Sequence, residues 1–384
     1  MKIVHVYKDY HPPVRGGIEQ TVGRIAGAQS AAGHDVTVLV SASGARRSVE
    51  ERLHGVRVVR VAEWARALSS PICPGFPRAL ARERADLWHL HFPNPLGEVS
   101  WLMASPPGAL VVSYYADVVR QGALMPLYGP LVHRLLARAD IVHVISPQAL
   151  RRPHSPVARH AGSCRVVPLG IDARSLLTLD RAGAPARALR ARYGDPFVLF
   201  VGRLRYYKGL DVLLDAMPRV PARLVIVGDG PMDARLRAQA RTLGLGDHVV
   251  FAGALDDDAL AQHLAAAAIG VLPSTFPSEA YGLAMIEYLA AGMPAVCTEL
   301  GTGTTFVNAD GVTGLVVPSG DAPALAVALE SLLDDPGRRA SMGEAGRARV
   351  RELFTVEAMM KGLDALYREA LERSRTVLRS RGVD

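Results

Sequence analysis

At 384 residues the chain exceeds what one hydrophobic core usually serves, so roughly two or three domains are expected, with two the better fit. Charged residues make up 21% and apolar residues 49%, a balance that excludes a disordered or fibrous chain. The formal charge of +7 is carried by scattered arginines, which excludes a clustered nucleic-acid footprint and suits anionic ligands or lipid headgroups.

Short β-rich runs alternate with helical spacing from the start: 3–7, 36–40, 56–61, 87–90, 110–114 and 141–145. The same grammar returns at 197–201, 224–227, 249–251, 269–272, 295–297 and 315–317. Strands separated by helices predict parallel sheets, hence an α/β fold of two Rossmann-like halves. Between them, 172–195 is rich in Arg, Ala, Leu and Gly and reads as a linker plus a short helix. The expected domains are 1–178, joined by the tail at 362–384, and 179–361. Cys73, Cys164 and Cys297 are few, far apart and match no metal spacing, which argues for a reducing compartment. The N-terminus lacks the h-region of a signal peptide and no apolar run reaches spanning length, so a cytoplasmic protein is expected.

Candidate chemistry follows the same order. Gly16 and Gly17 end a loop between the first strand and a helix, where paired glycines serve either a tight turn or close backbone approach to a ligand. His91 ends the fourth strand and is followed by Phe92, Pro93, Asn94 and Pro95; it is either a hydrogen-bonded structural residue or a site imidazole, and His89 alternates in phase with it. Asp117 follows the next strand as a turn cap or an acceptor-side carboxylate. Gly202, Arg203 and Lys208 bring two cations to one strand-end loop, a combination suited to a diphosphate. Gly228 to Pro231 lacks the third glycine of a dinucleotide fingerprint. Asp256, Asp257 and Asp258 precede a helical run and read as caps rather than metal ligands, so no obligatory metal or other cofactor is expected.

The densest signal is Glu279 and Glu287, which bracket a turn at Gly282 and Leu283 after the 269–272 strand. The first amides of the helix that follows lack intrahelical acceptors and favour a phosphate. Two glutamates at this spacing also suit a solvated helix face. Ser278 to Leu283, Glu287 and 291–296, taken with Gly202-Arg203, Lys208-Gly209 and His91-Phe92-Pro93-Asn94, resemble the signature of retaining GT-B glycosyltransferases of the family 4 type.

The resemblance covers most of the chain and implies two Rossmann-like domains facing a cleft, with the last helix crossing back to the first. It implies that Gly16 and Gly17 meet the donor diphosphate or acceptor, and that His91 and Glu279 hold sugar hydroxyls. Arg203 and Lys208 would stabilise the leaving diphosphate with the amides at Gly282 and Leu283, and Glu287 would grip the ribose. The base would meet backbone near 251–254, at Gly253, and the loop at Gly301, Thr302, Gly303 and Thr304 would lie beside the sugar and phosphates. Relatives carry His-Ser-Asp where this chain has Tyr115, Ala116 and Asp117, which removes any role for that histidine.

The wording at 8–19, 91–96 and 299–305 is most similar to bacterial transferases that use GDP-mannose or GDP-rhamnose to build O-antigen or exopolysaccharide. A nucleotide-sugar donor and a glycan or lipid-linked acceptor are then the expected partners, with no nucleic acid. UDP-sugar transfer and a nucleotide-sugar epimerase on the same scaffold are the alternatives, and a non-catalytic nucleotide-sugar sensor is a third. A lipid-linked acceptor would add peripheral contact with an anionic membrane through the basic, apolar segment 124–138, which otherwise reads as a core helix.

Overall fold

The computed structural model describes residues 1–14, 16–67, 70–117 and 125–380. It divides into two compact units, Met1–Gly170 with Val356–Asp384, and Ile171–Thr355. The boundaries differ from the expected 178/179 and 361/362. Ile171 bridges to Thr355 and donates its N–H to Phe354 O at 2.9 Å, which ties both ends of the second unit together before the last helix begins at Val356.

The first unit holds β1 (Lys2–Val6), β2 (Asp35–Ser41), β3 (Val49–Leu53), β4 (Val56–Val61), a hairpin of β5 (Ala65–Ala67) and β6 (Ser70–Ile72), β7 (Leu87–Phe92), β8 (Ala109–Tyr114), β9 (Ile141–Val144) and β10 (Cys164–Val166). Its main sheet runs β10-β9-β8-β7-β1-β2-β4-β3, parallel except for β3 at the edge. β7 and β8 are buried at every residue, as strands covered on both faces must be. The final helix, Val356–Ser380, packs on β8, β9 and the helix Gly17–Ala31, and buries Leu363, Tyr367 and Ala370. Tail and first domain therefore form one core.

The second unit is a six-stranded parallel sheet of β11 (Val198–Val201), β12 (Leu224–Val227), β13 (Val249–Gly253), β14 (Ile269–Leu272), β15 (Ala295–Glu299) and β16 (Gly314–Pro318), ordered β13-β12-β11-β14-β15-β16. The strand order reverses between β11 and β14, so the loops leaving their carboxyl ends diverge and open a crevice. The segment 172–195 contains the expected short helix, packed within the second unit. Its helix Ala184–Tyr193 packs on Asp257–Ala266, with Tyr193 edge-on to Phe197 at 5.5 Å, while Arg181 donates to the carbonyls of Leu264 and Ala267. Asp256 caps Asp257–Ala266 by accepting from Ala259 N at 2.8 Å, the capping role its sequence position predicted.

Candidate functional site

In the second unit the expected residues gather at the carboxyl edge around the switch between β11 and β14. Gly202 and Arg203 leave β11, and a turn at Tyr206–Lys208 returns the chain to the sheet. Gly209 follows at φ +65°, where any Cβ would stand 1.9 Å from Pro273 O; only glycine lets this turn lie against the loop after β14. Lys208 is 9% exposed, and its Nζ lies 2.5 Å from Glu279 Oε2, which also accepts from Ser274 Oγ at 3.2 Å. Burial works against the lysine's charge, but Glu279, Tyr207 and Glu287 outweigh it and hold its pKa above the ordinary value. Lys208 therefore keeps its charge beside Glu279.

The sequence brings two cations to this loop, and among the described residues Lys208 is already paired with Glu279. Arg203 keeps a side chain 58% exposed and only a loose 4.0 Å contact with Asp229. Glu279 is fixed from behind, since Thr302 Oγ1 donates to its carbonyl at 2.8 Å and Gly303 N donates to Ala280 O at 2.8 Å. The 301–304 loop thus meets Glu279, with Thr302 and Thr304 buried. Gly282, at φ +80°, opens the helix Leu283–Ala290 with no side-chain cap on its first amides. Tyr288 in that helix accepts from Val201 N at 2.7 Å, which pins the helix to the end of β11 and leaves Leu283 and Glu287 half-buried on the same edge. Gly253, at φ +74°, ends β13 and accepts from Gly228 N at 2.8 Å.

The first unit departs further from expectation. Gly16 begins the helix Gly17–Ala31 with an extended φ of −148°, and Glu19 folds back against it, buried and raised in pKa by desolvation. Arg15 lies outside the described residues. His91 is fully buried, with both ring nitrogens in use, so the sugar-hydroxyl contact expected of it finds no free donor or acceptor here. Asp117 is likewise occupied: it accepts from Tyr114 Oη at 2.6 Å and Ser155 Oγ at 2.8 Å and pairs with Arg152 at 2.9 Å. It holds two loops together.

His91 belongs to a chain of eight hydrogen bonds whose direction is fixed by its end. His143 Nε2 meets Val167 O at 2.7 Å, and a carbonyl only accepts, so this nitrogen carries the proton and Nδ1 accepts from Ser113 Oγ at 2.6 Å. The serine oxygen then accepts from His89 Nε2 at 2.6 Å, and His89 Nδ1 accepts from Tyr367 Oη at 2.6 Å. Tyr367 accepts from Gln29 Nε2 at 2.9 Å, and Gln29 Oε1 accepts from His5 Nε2 at 2.7 Å. His5 Nδ1 accepts from His91 Nε2 at 2.9 Å, and His91 Nδ1 accepts from Tyr115 Oη at 2.8 Å. All four imidazoles are neutral Nε2–H tautomers. Burial drives each of their pKa values down, His5 and His143 to about 4.

Nitrogens of His5, His89 and His91 lie within 4.8 Å of one another, a spacing a metal would accept, but hydrogen bonds already engage them. Sequence reasoning missed this chain, although histidines recurring inside otherwise apolar strands were its visible trace.

Two doubly wound sheets, with glycine-bearing loops and an uncapped helix start at the carboxyl edge of the second, define a two-domain α/β fold of the Rossmann-like type. Residues 16–170 match the glycosyl transferase 4-like domain family and residues 186–349 the glycosyl transferases group 1 family. The chain is 33% identical to O-antigen chain mannosyltransferase C of Escherichia coli over 97% of its own length and 99% of that protein. It is 36% identical to D-rhamnosyltransferase WbpZ of Pseudomonas aeruginosa over 92% of each. Sucrose-phosphate synthase from Thermosynechococcus elongatus superposes with a TM-score of 0.80 at 28% identity, over 96% of this chain and 98% of that one. The protein belongs to the group 1 glycosyltransferases of the GT-B fold, and the epimerase alternative gains no support from these relatives.

Proposed function

We propose that this protein is a retaining hexosyltransferase that moves mannose or rhamnose from a GDP-sugar to a glycan or lipid-linked acceptor during synthesis of a bacterial cell-surface polysaccharide. The names of the two relatives support the sugar and the pathway class. The buried Lys208–Glu279 pair beside the exposed Arg203 carries the mechanism. In the free protein Glu279 serves as counter-ion to Lys208. An arriving diphosphate, drawn to Arg203 and the amides after Gly282, offers Lys208 a second anion and releases a Glu279 oxygen for a sugar hydroxyl.

As the bond between the anomeric carbon and the diphosphate oxygen breaks, negative charge grows on that oxygen. Arg203, Lys208 and the helix amides stabilise it in place, without reorganisation. The acceptor hydroxyl attacks the same face of the sugar and its proton passes to the departing phosphate, which preserves anomeric configuration. Glu287 holds the ribose hydroxyls, and the backbone at Gly253 meets the base. No step requires a metal. Cytoplasmic placement follows from a cytoplasmic nucleotide-sugar supply.

Arg203→Ala or Glu279→Ala is expected to lower donor turnover by about 10²–10³; unchanged turnover refutes the assignment. Calorimetric titration with GDP, UDP and ADP tests the base, and GDP should bind tightest. Among the described residues no helix is long and apolar enough to cross a membrane. A lipid-linked acceptor would bring the helix Met125–Arg138 to an anionic surface, and failure to sediment with anionic vesicles at low salt would count against that contact.

A further inference from the structure

The first unit carries a second concave site that no step of the transfer uses. Lys2 and Asp35 begin β1 and β2, and from there a groove of about 800 Å³ runs along β4 to Val61, walled by the helix Phe76–Arg82. Its size is that of a small-molecule site. The groove reaches Val61 at the carboxyl end of β4, but none of Gly16, Gly17, His91 and Asp117 lines it.

Strand alternation sets the chemistry of the groove. Val36, Val38, Val56 and Val58 point to one face and join the core with Tyr7 and Tyr10. Thr37, Arg52 and Arg57 therefore share the other face, where Thr37 and Arg52 both pair with Arg57 across the ladder. Arg57 is locked. Its guanidinium donates to both oxygens of Glu50 at 2.8 and 2.9 Å and to both of Glu83 at 2.9 Å, and Glu83 is buried. This triad makes a rigid floor whose cation is fully spent.

The rim is different. Five cationic side chains and three carboxylates line the groove, an excess of two positive charges. Arg57 sets one charge against the two of Glu50 and Glu83, so the triad keeps one negative charge; Lys2, Arg52, Arg78 and Arg82 stand around the opening with Asp35, which leaves the excess of two positive charges. Among the described residues none of these four side chains is ion-paired. Arg78 and Arg82 stand one helical turn apart and repel each other, a repulsion that a bound anion relieves. Their planar forks match phosphate oxygens, while Val59, Val61 and Ala79 supply an apolar wall.

We infer that this groove binds a phosphate-bearing small molecule, at a site separate from the donor site. Inorganic pyrophosphate is the probe, titrated calorimetrically into the full-length protein at low ionic strength. Saturating GDP is present to fill the donor site, and an Arg203→Ala protein is run in parallel so that poor GDP binding cannot be mistaken for a second site. About one equivalent is expected to bind in both, with affinity falling at least about tenfold in Arg78→Gln/Arg82→Gln and again in high salt. Arg52→Gln, on a different element, should weaken binding independently, with circular dichroism and melting temperature confirming that each variant is folded. Absence of binding to the GDP-saturated protein, or affinity unchanged in the folded variants, overturns the inference.

Discussion

Lys208 and Glu279 show why one charge cannot be read without its neighbour. Each side chain is about nine-tenths buried, so removing either partner strands the other in a medium that solvates it poorly. Glu279→Gln and Lys208→Met should each lower stability by about 3–5 kcal/mol in urea unfolding. The double variant Lys208→Met/Glu279→Leu should recover most of that loss while donor turnover stays abolished. Equal losses in stability and turnover across all three would reduce the pair to a structural element.

The histidine chain makes a second residue-scale prediction. Tyr367→Phe removes the link between Gln29 and His89 and leaves a buried donor and a buried acceptor unmatched, at a cost of about 1–3 kcal/mol. Heteronuclear NMR of the wild type should find the four imidazoles as neutral Nε2–H tautomers. Because burial lowers the folded pKa of His5 and His143 to about 4 from 6.5, the unfolded chain takes up their protons first. Their contribution is full above about pH 6.5 and is lost as pH falls toward 4. Stability independent of pH across that window would contradict the neutral chain.

Among elements, the helices differ in what caps them. Asp256, Asp321 and Asp335 each accept from a backbone N–H three residues on, and close their helix starts. The helix Leu283–Ala290 has glycine in that place and leaves its first amides for a ligand. Asp256→Ala should therefore cost about 1 kcal/mol in denaturant unfolding and leave donor turnover unchanged. Loss of turnover from Asp256→Ala would instead implicate the triple-aspartate run in chemistry. The helix Pro95–Ala104 shows a third arrangement: Glu98, pushed up to about 7 by burial, accepts from Asn94 N at 2.6 Å and from the Tyr128 hydroxyl. That carboxyl supports the strand-end loop after His91.

At the scale of the whole molecule, the two units differ in continuity. Ile171–Thr355 is one unbroken segment closed on itself by the Ile171–Thr355 bridge, whereas the first unit is completed by Val356–Ser380. Residues 171–355 expressed alone should fold cooperatively and bind GDP, gaining about 2.7 kcal/mol of stability when the ligand is at a hundred times its Kd. Residues 1–170 alone should not fold, because Leu363, Tyr367 and Ala370 are missing from their core. A cooperative melt of 1–170 would show that the tail is an accessory.

Strand-helix alternation and the strand-end glycines determined the fold class from sequence alone, and the Glu279 to Glu287 element marked the candidate donor half of the site. These are local signals, set by spacing along one chain segment and by the dipole of one helix, and Asp256 as a cap is legible for the same reason. Long-range pairing was not legible. That Glu279 neutralises Lys208 depends on β11 and β14 lying side by side, and that both nitrogens of His91 are taken depends on His5, 86 residues away, and Tyr115 meeting it across the sheet. The short helix expected in 172–195 is present as Ala184–Tyr193, but its packing was not legible because its partner, Asp257–Ala266, lies far along the chain. Sequence fixes which groups a segment offers; only the tertiary structure decides which are already satisfied by one another and which remain for a ligand.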